Sequence, residues 1–484
     1  MFWIALAVNV AIAVTTRYFP FEDTTNDLAR YVLLDRAWFA HGVGLPATII
    51  VRAQPGPYLG FDVIGAVIVH LFGPDLGVRI IAAITVAAIP LGFALLLRAI
   101  GGQARRWAIA SVPFGFGFFT HAGFLSYVVG LGVGFAFLAL WWPRRREISV
   151  AGALGLTLGI VVCYLMHLSA VLMVLAVIWV DALVARDRRL WLVLWLSAAV
   201  GVMYLWTTIG APPLPPEKPA GYDLGGLWWK TKNILAPFYV YSAWQALPMF
   251  ATYIGAATLY IRANPMRTWP TTLGLSAAVL FGLYVFFPQM GTGGGYVDQR
   301  WLIPAYLLVF CAATSTKGPS DLGLKLLLAG SIVSSVILMP TMRRIDRYLD
   351  DYSTVLDRLE PGKSVFPVVA DDRRFGGRVI PYRHFAFWYT IRSHGNVPSL
   401  FDYSGDGMES NWFIPYFDDT AHRYAPPIGW FGGGGALRPL NWQRIVAEND
   451  YVIVAGRDSA MRAEIARHAR CLTEVGEIAL CNLR

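Results

Sequence analysis

Three acidic residues follow the first apolar stretch of the chain at close spacing. Glu22 and Asp23 are adjacent, and Asp27 follows in the same segment, "FEDTTNDLARYVLLDRAWFAHG". A carboxylate beside a substrate can accept a proton in a reaction. Ionisable residues at membrane depth are costly to bury, so a functional role is the first hypothesis for them. These carboxylates are therefore candidate site residues.

A second group of polar residues lies near the ends of later apolar segments, and it comprises His121, His167, Tyr296, Asp298 and Arg300. Each has a structural alternative. A histidine can simply hydrogen-bond a helix end, and Asp298 and Arg300 can pair with each other. The charged half of "NDLARYVLLDRAW" can likewise be the solvated face of an interfacial helix that is anchored by Leu28, Tyr31, Leu34 and Trp38.

The elements that must position these residues are membrane spans. The chain has 484 residues, of which 56% are hydrophobic and 15% charged, and its mean hydropathy is +0.50. Several apolar runs approach the ~20 residues that cross a hydrocarbon core of ~30 Å. We predict spans near 2–18, 76–98, 107–120, 121–142, 148–166, 168–185, 190–209, 246–262, 270–287, 301–316 and 323–341. The stretch 56–73 is ambiguous, since it could span or lie in the interface.

Basic residues set the orientation of these spans. If 56–73 does not span, loops on one face carry Arg98, Arg105, Arg106, Arg144, Arg145, Arg146, Arg186, Arg188, Arg189, Arg262, Arg267 and Lys317. The positive-inside rule assigns that face to the cytoplasm, so the same rule accounts for the net charge of +9 without nucleic acid. The N-terminus is then cytoplasmic. The first loop 19–75 and the C-terminal region are periplasmic or extracellular, at the cytoplasmic (inner) membrane. Lys230, Lys232 and Arg300 are exceptions in outer loops.

The composition becomes polar from residue 342 onward. "DYVIVAG" reads as a buried strand, "DSAMRAEIARHARC" as an amphipathic helix and "LTEVGEIALCNL" as strand material. This order is typical of a small α/β domain. Cys471 and Cys481 can form a disulfide if the domain faces an oxidising compartment. The sequence thus predicts a polytopic α-helical membrane domain (1–341) of about eleven spans, with juxtamembrane helices in loop 19–75, and an outer-facing soluble α/β domain (342–484).

Two segments in register resemble the GT-C glycosyltransferases that use polyprenyl-phosphate sugars. The similarity is greatest to the branch with protein O-mannosyltransferases and lipid A aminoarabinose transferases. "DLARYVLLDRAWFAHG" is similar to that branch's acidic outer loop, "DEARYAEIAREMLESGDW". Ala53 to Ile84 resembles "KPPLYYWLLALSFKLFG" followed by "AARLPSAL". The family's loop aspartate falls on Asp27, and its following pair falls on Arg30 and Tyr31. Its second acid is Leu28 here, and its lysine is Gln54.

The resemblance implies transfer of a sugar from a polyprenyl-phosphate carrier to a lipid, polysaccharide or protein acceptor at the outer membrane face. It makes Asp27 the candidate base, with Glu22 and Asp23 in reserve. Arginine suits the leaving phosphate because its guanidinium binds phosphate in a fork and stays charged. Arg300 is therefore the first candidate for the phosphate, followed by Lys230, Lys232 and His167. No cofactor is assigned, and a divalent metal that bridges carboxylates and phosphate remains an open alternative.

Three other classes of protein are alternatives to a glycosyltransferase. A transporter or flippase for lipid-linked glycans would carry internal repeats with Gly/Pro-broken helices, and the sequence shows no such repeat. A polymerase or ligase of surface polysaccharide would use arginines and a histidine in a large outer loop. "PYRHFAFWYTIRSHG" has that composition but lies beyond the spans. The acidic loop argues against a purely structural protein.

Overall fold

The computed structural model describes residues 1–18, 21–186, 189–209, 211, 224–263, 271–289, 295–312, 321–371, 374–376, 378–398, 400, 414–419 and 440–483. The protein is mostly helical. Its helices in chain order are α1 (Phe2–Thr15), α2 (Thr24–Trp38), α3 (Leu59–Ile100), α4 (Val112–Gly115), α5 (Phe118–His121), α6 (Leu125–Arg144), α7 (Val150–Met166), α8 (Leu168–Ala185), α9 (Arg189–Ile209), α10 (Leu227–Asn233), α11 (Ala243–Ala263), α12 (Thr271–Phe286), α13 (Leu302–Ala312), α14 (Asp321–Leu356), α15 (Phe387–Ser393), α16 (Trp442–Glu448) and α17 (Ser459–His468).

Membrane-crossing character is clear for five helices in the described part of the chain. α3, α6, α8, α14 and the segment Leu190–Ile209 of α9 are long and apolar enough to cross a membrane. Shorter apolar helices occur at Phe2–Thr15, Val150–Met166 and Thr272–Phe286. Along α9 the large side chains of Trp191, Trp195 and Trp206 are exposed. A helix that exposes apolar side chains in this way is suited to contact lipid.

In the described part of the chain, all but one of the predicted spans coincide with a helix. The exception is 107–120, where 3₁₀ turns (Gly102–Ser111) lead into the single-turn helices α4 and α5. Pro113 lacks a backbone N–H, and Gly115 and Gly117 are poor helix formers, so a continuous helix is disfavoured there. Most of the ambiguous segment 56–73 forms the first part of helix α3. α3 is broken at Gly73, which has φ +71° and precedes Pro74, so Leu59–Phe72 is a separate arm of that helix.

The C-terminal region contains a four-stranded sheet in the order β2-β4-β6-β5, formed by β2 (Val365–Val369), β4 (Tyr451–Ala455), β5 (Ala469–Val475) and β6 (Ile478–Leu483). β2 and β4 are parallel, and the other neighbours are antiparallel. A disulfide joins Cys471 on β5 to Cys481 on β6. The strands, the helix α17 and this disulfide agree with the order of elements read from the sequence.

The sheet has two buried faces. One face packs Val368 and Val454 with Trp442 of α16 and Ile465 of α17 in a separate small core. The other face contributes to the large core that also contains the membrane helices. α14 runs without interruption from Asp321 to Leu356, past the predicted domain boundary at 341/342, and its last turns pack on this region through buried residues such as Leu349.

A second, two-stranded sheet joins the first loop to the C-terminal region. β1 (Ile49–Val51) of the first loop pairs antiparallel with β3 (Phe417–Asp419) of the C-terminal region. Beside it, the Arg52 guanidinium lies 2.8 Å from the fully buried Asp418 carboxylate. The C-terminal region therefore covers the first loop, which carries the candidate carboxylates.

Candidate active site

Helix α2 carries the acidic motif and is buried on nearly all sides. Leu28, Tyr31 and Leu34 are almost completely inaccessible to solvent. The Tyr31 ring packs against Gly65 of α3 so closely that a Cβ there would lie 2.6 Å from the ring. The side chains of Asp27 and Arg30 retain only 13% and 3% of their exposure. The solvated-face alternative for this helix is therefore wrong, and its charges lie in the interior.

The charges on α2 meet a second aspartate from α3. Arg30 donates from Nε to Asp62 Oδ2 at 2.7 Å and from Nη2 to Asp62 Oδ1 at 3.0 Å. The same Nη2 lies 3.0 Å from Asp27 Oδ1. The Tyr416 hydroxyl donates to Asp62 Oδ2 at 2.7 Å. We call Asp27, Arg30, Asp62 and Tyr416 the acidic centre, because two carboxylates share one guanidinium.

Burial dominates the electrostatics of Asp27. Loss of solvent raises the pKa of Asp27 to about 7, with Arg30 opposing and Asp62 adding to the rise. A carboxyl group that titrates near neutrality is suited to general base catalysis. Groups with strongly perturbed pKa values are more frequent at functional sites than elsewhere.

Glu22 and Asp23 are held by the C-terminal region. Glu22 accepts hydrogen bonds from the Ile380 backbone N–H at 3.0 Å and from Arg383 Nη1 at 2.7 Å. His384 lies 3.5 Å from Asp23, and its other ring nitrogen lies 3.4 Å from the Asn26 amide. Burial and Arg383 hold the pKa of His384 well below its usual range. Because both oxygens of Glu22 are engaged, the geometry favours Asp27 over Glu22 as a base.

Arg300 lies in a different buried setting. Its Nη1 is 3.4 Å from His167 Nε2, and its Nη2 donates to the Gly295 carbonyl at 3.3 Å. The guanidinium lies over the Phe124 ring at 5.1 Å, and the residue is 7% exposed. Within the described residues its nearest polar neighbours are thus a histidine and a carbonyl, neither of which neutralises its charge.

A second arginine of this kind, Arg378, comes from the C-terminal region. Its Nη2 donates to Gln299 Oε1 at 2.6 Å, and its guanidinium stacks over Phe118 at 4.0 Å and Tyr296 at 4.9 Å. Nη1 is buried and has no hydrogen-bond partner in the described part of the chain. Burial lowers the pKa of Arg378, an effect that Tyr296 and Asp298 offset in part. We call Arg300, Arg378 and Tyr296 the basic centre.

The lysines of the outer loops behave differently from these arginines. Lys230 donates to Asp298 Oδ2 at 2.7 Å and to the Phe287 carbonyl at 2.8 Å, and both charged side chains are buried. Its charge is therefore neutralised within the protein. Asp298 uses this lysine and not Arg300, so their predicted alternative pairing is wrong. Lys232 is exposed at the end of α10.

The two predicted histidines, His121 and His167, have different surroundings. His121 is buried, and its Nδ1 lies 3.0 Å from the Gly117 carbonyl. Its backbone carbonyl accepts the Glu22 N–H at 3.0 Å, so the hydrogen-bonding alternative describes it well. His167 caps α8, where Nδ1 accepts from the Ser169 N–H at 3.0 Å. Its Nε2 faces Arg300, which leaves it in contact with the basic centre.

The acidic and basic centres are neighbours. Tyr58, which begins the helix that carries Asp62, packs its ring on His167 at 5.1 Å. Gly123, with φ +85°, lies so close to Asp23 that a Cβ there would be 2.5 Å from the Asp23 nitrogen. The next residue, Phe124, contacts Arg300. The elements that carry the two centres are therefore in contact through these residues.

The known proteins that this chain resembles are similar to it in fold. No family model and no curated protein matches the chain. Solved structures do, and two of them are structures of one protein. ArnT from Cupriavidus metallidurans in the apo state matches with a TM-score of 0.59 and 14% identity over 99% of this chain and 97% of that one. The same protein bound to undecaprenyl phosphate matches with a TM-score of 0.56 and 16% identity over 99% and 96%.

The chain has the ArnT fold. ArnT is a lipid A aminoarabinose transferase, so the family resemblance found in the sequence is confirmed for the fold. Within this ArnT-like fold, the motif residues Asp27, Arg30 and Tyr31 occupy one buried helix face. Gln54, where the family has lysine, donates to the Trp206 and Thr207 carbonyls at the end of α9.

Several site residues were missed by the sequence analysis. Asp62 lies within the ambiguous segment 56–73 and was not predicted as a site residue, although an aspartate in an apolar helix is itself a signal. Arg383 and His384 belong to "PYRHFAFWYTIRSHG", whose composition was noted for a different function. No pattern in the sequence marked Tyr416 or Arg378 as a site residue. Among the described residues, no cluster of three or more His, Cys, Asp and Glu side chains is arranged to hold a metal ion.

Proposed function

We propose that this protein is a glycosyltransferase that moves a sugar from a polyprenyl-phosphate carrier to an acceptor hydroxyl at the outer face of the cytoplasmic membrane. The observation that carries the proposal is the buried pair of centres. A carboxylate with one open oxygen lies on one side, and on the other are two arginines that form no ion pair with a carboxylate among the described residues. The likeness to a structure of ArnT bound to undecaprenyl phosphate supports the same donor class.

The proposed reaction needs one proton acceptor and one anion site. The acceptor oxygen forms a bond to the anomeric carbon, and the bond from that carbon to the phosphate oxygen breaks. Asp27 takes the acceptor proton, and polyprenyl phosphate leaves as the anion. A positioned base typically contributes about 10²–10⁴-fold to the rate.

The basic centre is the proposed site of the leaving phosphate. Arg300 and Arg378 would gain a negative partner when the donor binds, and fixed cationic donors are most effective where charge develops in a site that excludes water. Lys230 is a weaker candidate because Asp298 already neutralises it. Tyr296 and His167 would hold the two guanidiniums in place.

The proposed orientation puts both centres on the side opposite to the arginine-rich loops, with the N-terminus in the cytoplasm. α3, α6 and α11 each carry an arginine in the last turn, at Arg98, Arg144 and Arg262. The Cys471–Cys481 disulfide supports an oxidising environment for the C-terminal region. The acceptor, whether lipid, polysaccharide or protein, would approach under that region.

The first experiment is transfer from a panel of radiolabelled polyprenyl-phosphate sugars by the purified protein in detergent. Wild type should transfer at least one sugar, and Asp27→Asn should lose about 100-fold or more of the rate. Asp35→Asn is the matched control, because Asp35 lies on the same helix but is bonded to His70 at 2.9 Å, away from both centres. It should retain activity.

Full activity in folded Asp27→Asn would move the base to Asp23 or Glu22. Absence of transfer and of donor binding across the whole panel would contradict the glycosyltransferase and bring the transporter alternative forward.

A further inference from the structure

The two carboxylates of the acidic centre are unequal in their contacts. Asp62 is fully buried and accepts three hydrogen bonds, two from Arg30 and one from Tyr416. Asp27 keeps 13% of its side-chain exposure and accepts one, at Oδ1, from an Arg30 nitrogen that Asp62 also uses. Within the described residues, Oδ2 of Asp27 has no protein hydrogen bond.

We propose that Asp62 and Tyr416 are positioning residues that hold the Arg30 guanidinium mainly against Asp62, so that Asp27 shares only one of its nitrogens and can act as the base. This inference rests on the proposed function, because it assigns the reason why one of two aspartates on the same arginine does the chemistry. Asp62 takes the Nε–Nη2 edge of the guanidinium, the geometry in which arginine binds a carboxylate most strongly. Asp27 receives only the shared nitrogen.

Tyr416 fixes Asp62 in that arrangement. Burial and the neighbouring Asp62 hold the pKa of the Tyr416 hydroxyl well above its usual range, so it remains a proton donor. It belongs to the segment before β3, which pairs with β1 of the first loop. The C-terminal region thus reaches the proposed base through Asp62 and Arg30 and need not contact Asp27 itself.

Among the described residues, few charged and titratable groups surround Asp27. Arg30 and Tyr31 face it from its own helix, Asp62 faces it from α3, and Tyr416 lies behind Asp62. Asp23, one turn earlier, is paired with His384. Loss of the Asp62 charge would free Arg30 for Asp27, and both changes stabilise the Asp27 carboxylate. An opposite charge that comes this close typically lowers a carboxyl pKa by about 1–3 units.

The first test is the pH dependence of transfer by Asp62→Asn. The acid limb of the rate profile, which reports protonation of the base, should move down by about 1–3 pH units. Tyr416→Phe should move it in the same direction but less, because Asp62 loses one of the donors that fix it against Arg30. A merely structural role would lower the plateau and leave the limb in place, and that result would overturn the proposal.

Two control variants remove similar groups elsewhere. Asp181→Asn removes a buried carboxylate near the other end of α8, where it accepts from Thr272 at 3.2 Å. Tyr389→Phe removes a tyrosine hydroxyl that bonds the Lys363 N–H at 3.0 Å. Neither variant should move the acid limb. A limb that moves equally in the controls would contradict a specific role for Asp62 and Tyr416.

A second readout does not depend on turnover. A carboxyl group whose pKa rises on folding from 3.8 to about 7 loses its contribution to stability as the pH rises through that interval. Asp27→Asn should therefore raise the apparent unfolding temperature, and the increase should grow from about pH 4 to pH 7. In the Asp62→Asn background this increase should shrink, because Arg30 then stabilises the Asp27 charge.

The two readouts separate the two hypotheses. If no sugar is transferred but the unfolding data show that the substitutions at Asp27 and Asp62 interact, the proposed function fails and the arrangement of Arg30 stands. If transfer occurs and the two substitutions have independent effects on unfolding at every pH, the glycosyltransferase stands and this inference is overturned.

Discussion

The acidic and basic centres are both buried, and they are unbalanced in opposite senses. The acidic centre has two carboxylates for one guanidinium, whereas the basic centre has two guanidiniums that contact no carboxylate among the described residues. An uncompensated charge in a protein interior is costly. Such charges lower stability and are useful only when something outside the protein pairs with them. The nearby Lys230–Asp298 pair is balanced and offers an internal reference.

The largest effect is expected on the stability of the protein when the balanced Lys230–Asp298 pair is broken. Lys230→Met leaves Asp298 buried without its partner, which should cost about 3–5 kcal/mol of unfolding free energy. The double variant with Asp298→Leu should recover most of that loss, because two apolar groups replace two charges. Thermal unfolding in detergent measures both. A Lys230→Met variant as stable as wild type would mean that the pair is not structural.

Arg300→Ala should lower the rate of transfer and leave the stability of the protein unchanged. Loss of a fixed donor to developing charge typically costs about 10²–10³-fold in rate, yet the unfolding temperature should not fall, because no carboxylate loses its partner. Initial rates at saturating donor and thermal unfolding are measured on the same preparation. Arg300→Lys keeps the charge and should recover part of the rate. A large loss of stability without loss of rate would contradict the role of the basic centre.

Arg378→Gln tests whether the C-terminal region contributes to donor binding. A hydrogen bond to a charged group is worth about 1.5–3 kcal/mol, which corresponds to about 10–100-fold weaker binding. The effect should appear in the KM for the donor, and Arg374→Gln is the control, because Arg374 pairs with Glu477 instead. Unchanged KM in Arg378→Gln would remove this residue from the phosphate site.

The smallest effect is expected at Lys232. Its side chain is exposed, and surface substitutions away from special contacts usually change free energies by about 0.5 kcal/mol or less. Lys232→Gln should therefore change the rate by about twofold at most. A larger loss would restore Lys232 as a phosphate ligand and weaken the contrast between the lysines and the buried arginines.

Much of the fold could be predicted from local patterns in the sequence. The lengths of the apolar segments predicted most of the helices. The composition of the C-terminal region predicted the strand–helix–strand order that begins near Tyr451. The break at 107–120 was not predicted, because Pro113 and the nearby glycines were outweighed by the apolar character of the segment. Asp27 was reached through a motif whose residues are close in sequence.

The rest of the site depends on contacts between distant parts of the chain. Asp62 meets Arg30 from another helix, and Tyr416 reaches Asp62 across 354 positions of sequence. No periodicity or spacing encodes such a contact. The same holds for Arg378, whose neighbours Gln299 and Tyr296 lie on a segment between membrane helices. Sequence patterns identified which residues were chemically capable, and folding determined which of them meet.

The pairing of β1 with β3 has a consequence for how the protein is made. During synthesis the first loop leaves the ribosome long before its partner strand exists, since Arg52 and Asp418 are 366 positions apart. Until β3 arrives, Arg30 and Asp62 are uncovered and the Tyr416 hydroxyl is absent. The complete acidic centre therefore forms only after residue 419 has been synthesised, so a product terminated earlier would lack both Tyr416 and the partner strand of β1.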